Sequence, residues 1–135
     1  MNETIKGRLA SKMPCCGIYA ASLISGKPIE TVFDDYKKLF KKCHRWQGSV
    51  TTSGLLELLK KYKCKLVPEG EKGITVRKFH YKYALLNRTY IIFVATHVFV
   101  LRDGVYEDQW HKGPVQTVKG SLSRVTKAFW VKEAA

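Results

Sequence analysis

The chain has 135 residues, the length of one domain spanning 1–135, with room for a core that needs no disulfide or metal staple. Its 45% hydrophobic and 12% aromatic content excludes an intrinsically disordered chain. Twenty-four Lys and Arg against 11 Asp and Glu give a net charge of +13, which predicts an acidic partner, whether nucleic acid, an anionic surface or an acidic protein, and says nothing about fold.

The first 13 residues have no clear period, and Pro14 stops any helix behind it. Cys16 to Ser25 is apolar nearly all round and ends at Gly26, which predicts a short buried helix capped by that glycine. Pro28 opens a second helix, with Ile29, Val32, Phe33, Tyr36, Leu39 and Phe40 on one stripe. Gln47 to Ser53 is a loop rich in helix-capping residues. Leu55, Leu56, Leu58, Leu59 and Tyr62 then mark a third helix. Lys65-Leu66-Val67 and Ile74 to Val76 read as short strands around a Pro68–Gly73 loop, and His80 to Leu86 as a turn of helix.

From Thr89 to Leu101 the chain is β-branched and aromatic, one continuous strand with no loop before His97. Asp103-Gly104 is a two-residue hairpin turn, Val105 to Trp110 the return strand, Gly113-Pro114 a turn, and Lys127 to Val131 a last strand. The class is α+β, with N-terminal helices packed on a C-terminal antiparallel sheet. The longest apolar run, Tyr90 to Ala95, is far short of the ~20 residues that span a bilayer. Met1 to Arg8 contains no apolar stretch of the signal-peptide kind. No membrane partner is therefore expected, the expected location is the cytoplasm, and Cys15, Cys16, Cys43 and Cys64 are expected to be thiols.

Cys16 stands at the start of an apolar helix, where free N–H groups and the positive end of the helix dipole lower a thiol pKa. A cysteine nucleophile needs that, because the thiolate attacks. Gly17 beside it would let a substrate carbonyl approach the backbone. The plain alternative is a small buried hydrophobe. His97 interrupts an apolar strand, where an unsatisfied imidazole is costly. With Asp103-Gly104 as the turn, Leu101 faces Tyr106 and Phe99 faces Asp108. His97, Phe99, Leu101 and Asp108 then share one sheet face, with Asp108 diagonal to His97. A carboxylate there would fix the tautomer of the histidine and raise its basicity.

Taken in order, Cys16-Gly17-Ile18-Tyr19-Ala20-Ala21, then Gly48-Ser49-Val50-Thr51 before Leu55 to Leu59, then Thr96-His97 through Gly104 to Asp108, the chain resembles papain-like cysteine peptidases over residues 10–110. It is most similar to the compact bacterial and phage type, such as the leader peptidases of bacteriocin exporters. The resemblance implies a papain-like fold, Cys16 as nucleophile, His97 as general base and Asp108 as its orienter, with a peptide or protein substrate. It also implies a bacterial or phage source and, for a phage protein, the cytoplasm of the host. One departure is plain. The glutamine that the family places ahead of the nucleophile as an oxyanion donor is missing from Leu9-Ala10-Ser11-Lys12. Ser11, Lys12 or Asn2 would have to replace it, beside the Cys16 N–H, or the activity has been lost.

No cofactor is expected. A zinc set drawn from Cys15, Cys43, His44, Cys64, His80 and His111 has no Cys-x-x-Cys pair. Lys37, Lys38, Lys41, Lys42, His44, Arg45, Lys60, Lys61, Lys63 and Lys65, interleaved with Tyr36, Trp46 and Tyr62, form a basic belt. Its plainest reading is a solvated helical face; Lys37, Lys38, Lys41, Lys42 and Trp46 are the candidates for contact with a substrate, a nucleic acid or an acidic protein. Three functions stay open: a thiol hydrolase acting on an amide, a catalytically inactive module of the same fold, and a basic nucleic-acid-binding domain.

Overall fold

The computed structural model describes residues 16–39, 50–95, 97–115 and 122–133. Their order is α1 (Cys16–Ser25), α2 (Ile29–Leu39), α3 (Thr52–Lys61), β1 (Lys65–Pro68), α4 (Val76–Lys82), β2 (Thr89–Val94), β3 (His97–Arg102), β4 (Val105–Glu107), β5 (Lys112–Pro114) and β6 (Lys127–Glu133). The strands form an antiparallel sheet in the order β1-β6-β2-β3-β4-β5. The class is α+β.

The helices follow their sequence signals. Gly26 adopts φ +74° at the end of α1 and returns its N–H to the Ser22 carbonyl at 2.9 Å, the left-handed stop that glycine makes cheaply. Val32, Phe33 and Tyr36 are the buried stripe of α2. Thr51 caps α3, its hydroxyl accepting from the Gly54 N–H at 3.0 Å, and Leu55, Leu58 and Leu59 are fully buried.

Each strand residue points opposite to its neighbour, so the sheet sorts its side chains onto two covered faces. Ile91, Phe93, Val98, Val100 and Val131 pack against α1, α2 and α3. Tyr90, Ile92, Phe99, Leu101, Tyr106 and Ala128 pack on the other side with Val76 and Phe79 of α4. Each large side chain fully buried in this way contributes ~1.5–3 kcal/mol.

The double cover explains the main correction. Thr89 to Leu101 is not one strand but the two arms of a hairpin, with Val94 opposite His97. Both arms are buried on both faces, so neither shows polar alternation. The joining residues, Ala95 and Thr96, carry no Gly, Asn or Asp to announce a turn. The absence of a loop before His97 is thereby accounted for.

Other boundaries also move. Ile74 to Val76 is not a strand: Thr75 makes a single bridge to Arg124 and then caps α4, accepting from the Lys78 N–H at 3.1 Å. The helix expected from His80 to Leu86 therefore begins at Val76 and ends at Lys82. It falls between β1 and β2, so the order is not strictly helices and then sheet. The return strand stops at Glu107 rather than Trp110. Gly113-Pro114 lies in β5, paired with β4, instead of forming a turn. The last strand extends to Glu133. Among the described residues, no helix is long and apolar enough to cross a membrane.

Candidate active site

Three elements meet at one end of the sheet. Cys16 is the first residue of α1, half-buried, its thiol free. The first N–H groups of a helix have no partner within it, so the thiol sits where the backbone is electropositive. Gly17 has a more specific role than the one expected. A β-carbon there would lie 2.2 Å from Cγ2 of Val50, so it is the Val50 side chain, not a substrate carbonyl, that takes the room a side chain would fill.

His97 is the first residue of β3, and Asp108 follows immediately after β4. Because β3 and β4 are antiparallel, the start of one lies beside the end of the other. The ladder pairs Leu101 with Tyr106 and Val100 with Glu107, the register expected from the Asp103-Gly104 turn. Asp108 lies one step beyond the last pair. Its Oδ2 is 2.7 Å from Nε2 of His97. The ring also hydrogen-bonds Cys16, and with Nε2 engaged the nitrogen left for sulfur is Nδ1.

The Asp108 carboxylate is only 6% exposed, and four donors converge on it. Oδ2 accepts from His97 and from the Tyr106 hydroxyl at 2.9 Å. Oδ1 accepts from the backbone N–H groups of Trp110 at 2.8 Å and His111 at 2.7 Å. Those backbone bonds turn the chain out of the ladder and explain why β4 is short. The His111 ring lies 3.5 Å from Oδ1 on the outer side. Trp110 stacks on His97 with centroids 5.8 Å apart, and Phe99 at 6.2 Å.

The electrostatics follow from these contacts. Burial would push the Cys16 thiol up, but the hydrogen bond and charge of His97, with backbone N–H groups, hold it below its ordinary value. Burial would likewise lower His97, yet its bonds to Asp108 and Cys16 raise it to about 9. Burial opposes the Asp108 charge, and its donors, His97 first, outweigh that and keep it well below the usual carboxylate range. The three groups titrate as a coupled set in which the His97 charge favours a Cys16 thiolate and the Asp108 charge favours an imidazolium. A thiolate held beside an imidazolium in this way would be a nucleophile beside its own acid.

Against Cys16 and His97 opens a cavity of about 230 Å³, walled by Val50, Leu55, Phe93, Val94 and Val98, with Thr52 at its side. No charged side chain from the described residues lines it besides the two site groups.

Of the residues singled out in the sequence, Cys16, His97 and Asp108 are brought together. Lys37 and Lys38 are exposed at the end of α2, away from the cavity lining; Lys37 pairs with Asp34 at 3.8 Å and lies over the Phe33 ring. Ser11, Lys12, Asn2, Lys41, Lys42 and Trp46 lie outside the described residues. Among the described residues, no three His, Cys, Asp or Glu side chains cluster as metal ligands. Tyr106 and Trp110 were missed. The period of two that placed Asp108 also puts Tyr106 on its face, and Asp108 followed two residues later by Trp110 is the spacing at which an aspartate accepts a backbone N–H to start a turn.

No family model, no curated protein and no solved structure matches the chain.

Proposed function

We propose that the protein is a thiol hydrolase of papain-like fold that cleaves an amide bond in a peptide or protein, with Cys16, His97 and Asp108 as its triad. The observation that carries the reading is the line of contacts from Asp108 Oδ2 through both nitrogens of His97 to the thiol at the head of α1.

In this reading the Cys16 thiolate attacks the amide carbonyl carbon, and the carbonyl oxygen takes the negative charge. The Cys16 N–H at the helix start is one donor to that oxygen. The C–N bond breaks as the imidazolium of His97 protonates the departing amine, leaving a thioester on Cys16. Neutral His97 then takes a proton from water, the hydroxide adds to the thioester carbonyl, and the acid leaves as Cys16 returns to thiolate. Asp108 keeps Nδ1 aimed at sulfur and stabilises the positive ring in each half. The cavity beside Cys16 receives an uncharged, apolar side chain of the substrate, since none of the described residues in its other walls offers a countercharge. The net charge of +13 favours an acidic protein or a nucleic acid as a wider partner.

The test is covalent labelling with a peptidyl vinyl sulfone, read by mass spectrometry, together with hydrolysis of a fluorogenic peptide library. Labelling confined to Cys16 and hydrolysis abolished by Cys16→Ala are expected. Labelling spread over Cys15, Cys43 and Cys64, with no turnover of any peptide, contradicts the reading and leaves a binding module.

A further inference from the structure

We infer that Tyr106 is a positioning residue that sets how firmly His97 holds its proton, acting through Asp108. The inference rests on the thiol-hydrolase reading of the same site.

The argument begins with a competition. The Tyr106 hydroxyl at 2.9 Å and His97 Nε2 at 2.7 Å converge on one atom, Oδ2 of Asp108, while the other oxygen is occupied by two backbone N–H groups. A donor that shares an oxygen draws off part of its negative charge, so less remains to stabilise the imidazolium. A simple structural bond to this buried carboxylate did not need to land on the oxygen that His97 uses.

Tyr106 is also built to remain in place. It is only 3% exposed and stacks on Phe99, with centroids 4.1 Å apart and planes at 22°. Phe99 in turn stacks on His97, so one aromatic column fixes donor, spacer and base. Burial and the neighbouring carboxylate push the phenol far above its ordinary value of 10.0, so the hydroxyl stays a donor at every pH where the pair works.

The consequence is a compromise between the two half-reactions. An undivided Asp108 charge would favour the ion pair but make His97 reluctant to pass its proton to the leaving amine. Sharing Oδ2 with Tyr106 weakens that grip, which helps protonation of the leaving group.

The experiment uses the full chain and iodoacetate, an anionic alkylating agent. Its rate rises as the thiolate forms and falls as His97 loses the charge that attracts it, so the alkaline limb reports His97. The wild type should show that limb near 9. Tyr106→Phe keeps the stack and removes the donor; its limb should move up by about half a pH unit, the scale of one neutral hydrogen bond. Site-specific 3-fluorotyrosine at position 106 is a stronger donor, and its limb should move down. A merely structural tyrosine would change the unfolding midpoint without moving the limb in opposite directions. If Tyr106→Phe fails to fold, the fluorotyrosine protein decides alone. A wild-type limb unmoved by either change overturns the role of Tyr106 and leaves the triad standing. A wild type with no alkaline limb overturns both.

Discussion

Val94 and His97 stand opposite each other at the closed end of the β2–β3 ladder. The position of His97 is therefore set by the strand register rather than by a flexible approach to the site. Inserting one glycine between His97 and Val98 should turn the imidazole to the opposite face, away from Asp108, because the side-chain period is two. Cys16 should then alkylate like an ordinary thiol. Inserting two glycines between Ala95 and Thr96 lengthens only the turn and should leave Cys16 reactive. Equal alkylation rates in the two folded insertion variants would contradict this account.

His97→Ala removes the hydrogen bond and the positive charge that hold the Cys16 thiol down, while burial remains. The thiol should return to or above its ordinary value of 9.0. Alkylation by iodoacetamide near neutral pH should slow several-fold or more, as the thiolate fraction drops to about 1% or less at pH 7. Asp108→Asn should slow it less. The amide oxygen can still accept from Trp110 and His111, but the NH2 group faces the His97 nitrogen and no longer supports an imidazolium. Rates equal to wild type in both variants would dissolve the triad.

The pH dependence of stability has a less obvious form. Taken alone, His97 is raised when folded, so its contribution is full below 6.5 and lost as pH climbs to about 9. Cys16 is lowered when folded, so its contribution is full above 9.0 and lost as pH falls towards its folded value. Between 6.5 and 9.0 the two contributions run in opposite directions as pH rises, His97 losing stabilisation and Cys16 gaining it, so they offset each other. Wild-type urea midpoints should change less there than those of a variant without the thiol. Cys16→Ser leaves His97 raised by Asp108 alone, so the midpoint of that variant should fall with rising pH across the window. Asp108, held below its ordinary 3.8, adds an acid limb: its stabilisation is present above that value and lost beneath it. A level profile for Cys16→Ser would show that no charge is stored on His97.

Gly17→Ala places a methyl group 2.2 Å from Val50 Cγ2 but 3.5 Å from Val50 Cβ. The first contact is impossible and the second is ordinary. The single substitution should cost ~1–3 kcal/mol as an overpacked core position and reshape the cavity wall beside Cys16. Adding Val50→Ala deletes the clashing methyl, so the double variant should recover much of the stability. Additive losses in chemical denaturation would place the strain elsewhere.

What the sequence made legible follows a physical divide. Cys16, His97 and Asp108 were readable because a helix start, a strand period and an Asp-Gly turn each fix geometry over a few residues. The turn between Val94 and His97 was not, since both arms are buried on both faces and the joining residues carry no turn chemistry. Thr75 looked like part of a strand because its neighbours Ile74 and Val76 are β-branched; the helix that begins there is stabilised by tertiary burial of Val76 and Phe79. The contact between Gly17 and Val50 joins residues far apart in the chain, and no local pattern announces it.

The sheet also ends in a characteristic way on both sides. Among the described residues its outer strands are β1, Lys65-Leu66-Val67-Pro68, and β5, Lys112-Gly113-Pro114. Each opens on lysine and closes on proline. An added strand would meet a charge at one end and, at the other, a residue with no N–H to donate. Both edges are only three or four residues long, too short to template another chain. Association edge to edge is thereby discouraged, and a peptide is denied a place as a seventh strand along either margin. On the thiol-hydrolase reading, a peptide would then meet Cys16, His97 and Asp108 across the ends of strands rather than along a strand side.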